Sequence, residues 1–96
     1  MDRRDIYVEK LKARLDEWNA ELNKAEAKAR GAEADVRLRY DEGLEHMRSK
    51  RDEARQHLHE IEEAGEESWE RLRRGFEQAW EDIRTGFERA RDRFRQ

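Results

Sequence analysis

The chain contains no cysteine and no proline, and only two serines (Ser49, Ser68) and one threonine (Thr85). Without cysteine there are no disulfides, no thiol chemistry and no mark of a redox compartment. With so few hydroxyls, a nucleophile–base arrangement has almost no raw material. The five glycines are isolated within helical pattern, so no phosphate-cradling loop exists. No window approaches the roughly 20 apolar residues needed to span a bilayer. The start, Met1-Asp2-Arg3-Arg4-Asp5, leads into charged sequence rather than an apolar run of signal-peptide length, so a cytoplasmic protein is the expectation. Neither sign of charge dominates: the formal net charge is −3. Residues 1–40 hold 10 bases and 9 acids, residues 41–67 hold 4 and 10, and residues 68–96 hold 8 and 6. Neither end carries the clustered positive face that nucleic acid requires.

What is present is helix-forming and charged. Ala, Glu, Lys, Leu and Arg fill 57 of 96 positions, and charged residues make up 49% against 34% apolar. That bias marks long or coiled-coil helices. Disorder is the competitor, but the low net charge and the regular apolar spacing oppose it. Asp2 is placed to cap a first helix, with Asp5 in its first turn. From there Val8, Leu11, Leu15, Trp18, Leu22, Ala25, Ala29, Ala32 and Val36 alternate steps of three and four, which is a heptad seam over residues 3–36. Its early layers are large and its later ones small. Strict heptads then fail over residues 37–57, where steps of four recover Tyr40 and Leu44, then Met47 and Ala54, with Arg51 as a polar intruder; such a stutter locally unwinds a supercoil.

Residues 58–96 change period. Ile61, Leu72, Ile83 and Phe94 are eleven apart, as are Leu58, Trp69 and Trp80, and Gly65, Phe76 and Phe87. Trp69-Glu70 recurs as Trp80-Glu81, and Gly75-Phe76-Glu77 as Gly86-Phe87-Glu88. An eleven-residue repeat gives a nearly straight or right-handed assembly. Gly31 and Gly65 would divide the chain into three segments suited to a bundle. The apolar phase nevertheless runs through both, and turn chemistry there is thin. The expected fold is therefore all-α: residues 1–96 as one unit, a single long coiled-coil helix on the order of 140 Å. A helical hairpin bent near Gly65, with Ser68 capping a new helix, is the alternative. Acid-first pairs four apart (Glu26–Arg30, Glu33–Arg37, Asp35–Arg39, Glu67–Arg71, Glu70–Arg74) should support the helix by a few tenths of a kcal/mol each.

The chemical candidates are few. Glu53–His57 and His59–Glu63 have chelating spacing, but His57 and His59 point about 200° apart on a helix and cannot share a metal. Solvated surface histidines, no metal and no cofactor are expected, and no enzyme. The stripe itself is the candidate surface. Trp69, Leu72, Phe76, Trp80, Ile83, Phe87 and Phe94 fall within roughly 80° of a helical wheel, with Arg73, Arg84 and Arg91 along one edge. Large aromatics beside arginine also describe a helix lying in a membrane interface, with Trp69, Phe76, Trp80 and Phe87 toward lipid. The narrow stripe favours a helix–helix seam. Gly75 and Gly86 stand at its other margin, where missing side chains would admit a partner backbone. Function then reads as self-association through the stripe, as a homo-oligomer, with a helical protein partner also compatible. A membrane-binding or stress-protective helix over residues 58–94 is the alternative.

Residues 7–22, Tyr-Val-Glu-Lys-Leu-Lys-Ala-Arg-Leu-Asp-Glu-Trp-Asn-Ala-Glu-Leu, resemble the opening of a group of small bacterial coiled-coil proteins of about this length. Those proteins also share a Trp-Glu-x-Leu-x-x-Gly repeat, similar to residues 69–75 and, with Ile83 for Leu, to residues 80–86. The resemblance implies a bacterial source and a coiled-coil fold, and no activity. This chain departs from it in using arginine where lysine is expected and Gly65 where serine is expected. The eleven-residue repeats are more loosely similar to those of exchangeable apolipoproteins.

Overall fold

The computed structural model describes residues 2–95, all helical apart from the chain start and two short turns; Met1 and Gln96 lie outside the described residues. Helix α1 spans Arg3–Arg30, α2 spans Ala34–Glu63 and α3 spans Trp69–Asp92, with a single 3₁₀ turn, Arg93–Arg95, at the end. The three run up, down and up. Tyr7 of α1 meets Trp69 at the start of α3, and Lys28 near the end of α1 donates to the carbonyl of Phe94. Between α1 and the antiparallel α2, Lys12 pairs with Glu62 at one end and Glu26 with Arg48 toward the other. The bundle measures 51 × 22 × 18 Å.

The single long helix is therefore corrected: the chain folds back twice. The hairpin alternative has one of the two bends, near Gly65, and lacks the other. The physical reason is a contest of magnitudes. Interrupting a helix forfeits a few hydrogen bonds, each about 1 kcal/mol net. Covering the stripe within one chain gains about 1.5–3 kcal/mol per large side chain. Six of them, Phe76, Phe87, Leu22, Met47, Ile61 and Ile83, are almost wholly removed from water.

Helix α1 starts as expected. Asp2 is extended and its Oδ1 accepts from the Asp5 N–H at 2.9 Å. It ends at Gly31, whose φ and ψ of −85° and −1° remain close to helical, and whose N–H reaches Ala27 O at 3.2 Å. The turn is made by Ala32 and Glu33, the latter extended at φ −66°, ψ 158°. The second turn starts at Ala64, extended at φ −74°, ψ 145°. Gly65 O then accepts from Ser68 N–H at 3.0 Å and Trp69 N–H at 3.1 Å. Ser68 stands at the cap position of α3, but its side chain makes no cap bond. Neither turn contains a residue of positive φ.

Two glycines inside helices are explained by what passes over them. A Cβ on Gly43 would stand 3.0 Å from Cε2 of Phe94 and 3.7 Å from the carbonyl oxygen of Ala90, so this position lets the end of α3 settle on α2. A Cβ on Gly86 would stand 2.7 Å from Cε of Lys50, whose stem lies across it. Gly86 thus admits a side chain, not the partner backbone expected, and nothing lies within 4 Å of the Cβ position of Gly75.

Candidate association surface

The heptad, stutter and eleven-residue segments converge on one core. Of the expected stripe, Val8, Leu11, Leu15, Trp18, Leu22, Ala25 and Ala29 are buried on α1; Leu44, Met47, Leu58 and Ile61 on α2; and Trp69, Phe76, Ile83, Phe87 and Phe94 on α3 and the turn after it. Ala32, Val36, Tyr40, Leu72 and Trp80 are half-buried; Tyr40, Leu72 and Trp80 pack against the core, whereas Ala32 and Val36 stand at the first turn outside it. Ala54 is buried with them, as its place in the stutter suggests. Ala90 is buried as well and was not in the stripe. Its signal was available: it lies eleven residues after Ala79, which packs half-buried against the same core. Gly43, within the segment where strict heptads fail, is also buried, under the ring of Phe94.

The centre of the core is aromatic. Trp18 stacks on Phe87 with ring centroids 4.1 Å apart and on Trp80 at 5.2 Å, nearly parallel to both. Phe76 meets Trp80 edge-on at 5.4 Å, and His57 of α2 lies tilted against Phe76 at 5.0 Å. Aromatic pairs of this kind contribute about 0.5–1.5 kcal/mol beyond their buried area. His57 is thus half-buried against a ring, which corrects its reading as a solvated side chain; His46 and His59 are exposed. At the two ends, Tyr7–Trp69 and Tyr40–Phe94 close the column at 6.4 Å and 4.7 Å.

Arginines dress its edges. Arg14 lies over Trp80 at 5.5 Å and Arg73 over Trp69 at 5.9 Å. Arg73 also pairs with Glu77 at 2.9 Å, Arg84 with Glu88 at 3.1 Å and with Glu81, and Arg91 with Asp92 at 3.3 Å. The residues read as lipid-facing therefore have their rings turned into the bundle and their guanidinium groups held by acids. Arg51, the intruder in the stutter, is half-buried at the α1–α2 seam and donates to Asn19 Oδ1 at 3.3 Å. Among the described residues none of the five acid-first pairs four apart is formed. Glu26 crosses to Arg48 at 3.1 Å, Glu70 faces Arg3 at 4.0 Å, and Arg37 donates instead to the carbonyls of Arg30 and Ala32 at 3.3 and 3.4 Å.

Among the described residues no charged or polar side chain is buried, and no buried side-chain nitrogen or oxygen lacks a partner. The pKa of Tyr7 is raised, first by burial and then by Glu77, with Arg73 acting against them. That of Arg84 is raised by its hydrogen bond to Glu81 and by the Glu81 and Glu88 charges. The surface hollows lie between helices. One on the α2–α3 side is lined by His46, Lys50, Asp82, Thr85, Arg89 and Arg93. Another beside the first turn is lined by Glu26, Arg30, Arg37, Asp41 and Arg48 around Leu44 and Ala29. Among the described residues no three His, Cys, Asp or Glu side chains converge as a metal site would require, and no helix is long and apolar enough to cross a membrane. No protein-family model matches the chain, and neither curated proteins nor solved structures returned a match to it.

Proposed function

We propose that this chain is a non-enzymatic association protein whose working surface is its apolar stripe, covered by its own helices in the closed bundle and by those of a second copy when it self-associates. The observation that carries this reading is phase. The steps of three and four that run from Val8 to Val36 pass through the first turn without a skip, although α1 stops at Arg30 and α2 starts at Ala34. A loop that only reverses the chain has no need to keep helical phase. A stripe that is also used on a straighter helix does. The test is molecular mass against concentration by sedimentation equilibrium, with Trp18 emission followed in parallel. Growth from 11.7 kDa toward twice that mass is expected. A mass that stays monomeric up to about 1 mM, where any association would be weaker than about 4 kcal/mol, removes self-association.

One observation favours a second reading. Five of the eight aromatic residues, Trp69, Phe76, Trp80, Phe87 and Phe94, belong to residues 69–94, and they are covered only by packing within the bundle. A bundle that opened on a lipid surface would deliver them together, with Arg73, Arg84 and Arg91 beside them. Tryptophan emission that shifts to the blue on adding anionic vesicles would place this reading first; emission indifferent to vesicles would remove it.

A further inference from the structure

We infer that self-association proceeds by exchange of α1 between two copies, through straightening of the turn at residues 31–33 into continuous helix. This rests on the association reading above and adds to it a hinge, a partner segment and the cleft that receives it. The partner is a second copy of this chain. The receiving surface is the groove that α1 leaves on α2 and α3, floored by Trp80 and Phe87.

The hinge is built to be undone. Gly31 is already close to helical, and Ala34 is helical again, so only Ala32 and Glu33 interrupt α1 and α2. The bonds that Gly31 and Ala32 donate, to Ala27 O and Ala29 O, both at 3.2 Å, merely continue and tighten the last helical turn. The Glu33 side chain makes no capping bond to α2. No proline and no positive φ stands in the turn, so no residue there resists helix. What straps the turn is the Arg37 guanidinium, at 3.3 and 3.4 Å from two carbonyls on an exposed surface.

Every contact that α1 makes with α2 and α3 can be repeated between copies. These include the Trp18 stack on Trp80 and Phe87, Glu26–Arg48, Asn19–Arg51, and the bonds from Arg4 to Ala64 O and Lys28 to Phe94 O. The closed monomer and the exchanged dimer thus share their interfaces and differ in the hinge alone, which is the situation in which swapping is cheap. Because the stripe keeps phase across residues 29–32, the straightened helix presents the α1 and α2 seams on one face.

Two substitutions move the hinge in opposite directions. Glu33→Pro suits the closed form: φ is −66° at this position, and its N–H donates no hydrogen bond among the described residues. The same proline inside a continuous helix would clash and remove a bond. Arg37→Ala favours the straight form, because it removes the guanidinium that straps the bent turn to the Arg30 and Ala32 carbonyls; with two hinges per dimer, the dissociation constant should fall severalfold. The chain has no cysteine, so single-cysteine copies Glu26→Cys and Arg48→Cys can be mixed at high concentration and treated with a short bis-maleimide. Residues 26 and 48 face each other across α1 and α2, so exchange joins the two variants covalently. We expect this mixed product, its increase with Arg37→Ala, and its loss together with the dimer in Glu33→Pro while helicity is kept. A dimer that persists in Glu33→Pro with no mixed product would overturn exchange and leave self-association standing. A wild-type chain that stays monomeric throughout would overturn both.

Discussion

Helices α1 and α3 lie parallel and share the same antiparallel neighbour, yet they cover it by opposite means. Helix α1 narrows along its length, from Leu11, Leu15 and Leu22 to Ala25 and Ala29, whereas α3 buries Trp69, Phe76, Ile83 and Phe87 and turns small only at Ala90. The bulk of one helix occupies the space that the other leaves. Trp18 is the exception on the small-residue side. It is the one large aromatic buried on α1, and it reaches both Trp80 and Phe87. The lesson is that the two repeats are not two independent regions: the heptad half supplies the room and one buried ring, and the eleven-residue half supplies the filling.

If that is correct, the heaviest loss comes from removing that ring. Trp18→Ala should cost about 3–5 kcal/mol, read as a fall in urea midpoint; a loss under about 1 kcal/mol, the scale of a surface change, would mean that α3 packs without α1. Next is the reverse insult. Ala25 is 4% exposed, and Ala25→Leu should cost about 1–3 kcal/mol by overpacking the narrow half, whereas unchanged or raised stability would show that the space is not filled. Smaller again is Gly75→Ala, which meets no atom within 4 Å and should stabilise α3 by about 1 kcal/mol. Gly86→Ala should fall short of that gain, because the stem of Lys50 must first move. Thermal melts of the pair decide it, and equal gains would refute the notch.

The smallest effect concerns Tyr7, at the wide end of α1. Burial raises its pKa above the usual 10.0, so the folded state holds the phenolic proton more tightly than the unfolded chain does. Its contribution to stability is complete below pH 10 and is lost as pH rises through the folded value. Denaturation series from pH 9 to 12 should therefore show a steeper alkaline decline for the wild type than for Tyr7→Phe, and parallel curves would contradict this assignment.

How much of this was legible depends on what encodes each feature. The stripe largely was, because burial on a helix leaves a periodic trace: of the residues read as stripe, Ala32 and Val36 at the first turn stand outside the packed core, and the others belong to it or pack against it. The reversals were not. Gly31 keeps nearly helical dihedrals, and the phase of Ala29, Ala32 and Val36 is that of an unbroken helix, so only tertiary packing makes the bend. The second turn had a partial marker in Gly65 and Ser68, but it works through the Gly65 carbonyl rather than through a serine cap. Local acid-first pairs were misread for a related reason. Surface pairs gain only tenths of a kcal/mol, so any cross-helix partner within reach, such as Arg48 for Glu26, outbids the neighbour four residues away. Gly43 could not be foreseen as buried, since its place is dictated by the ring of Phe94 in a distant part of the chain.

The eleven-residue repeat has a final consequence, which concerns register. A helix that repeats every eleven residues is nearly self-similar under a slide of about 16 Å. Displaced by that much, Trp69 would fall where Trp80 now stacks and Phe76 where Phe87 now lies. Gly75, whose Cβ position is empty, would bring its notch under Lys50 in place of Gly86. The apolar interior, with no buried polar side chain among the described residues to object, distinguishes these two alignments poorly. The burden of choosing between them therefore falls on the ends of the helix, where Phe94 covers Gly43 and offers its carbonyl to Lys28, and where Trp69 meets Tyr7. In this bundle the middle of α3 provides cohesion, and its two extremities provide the address.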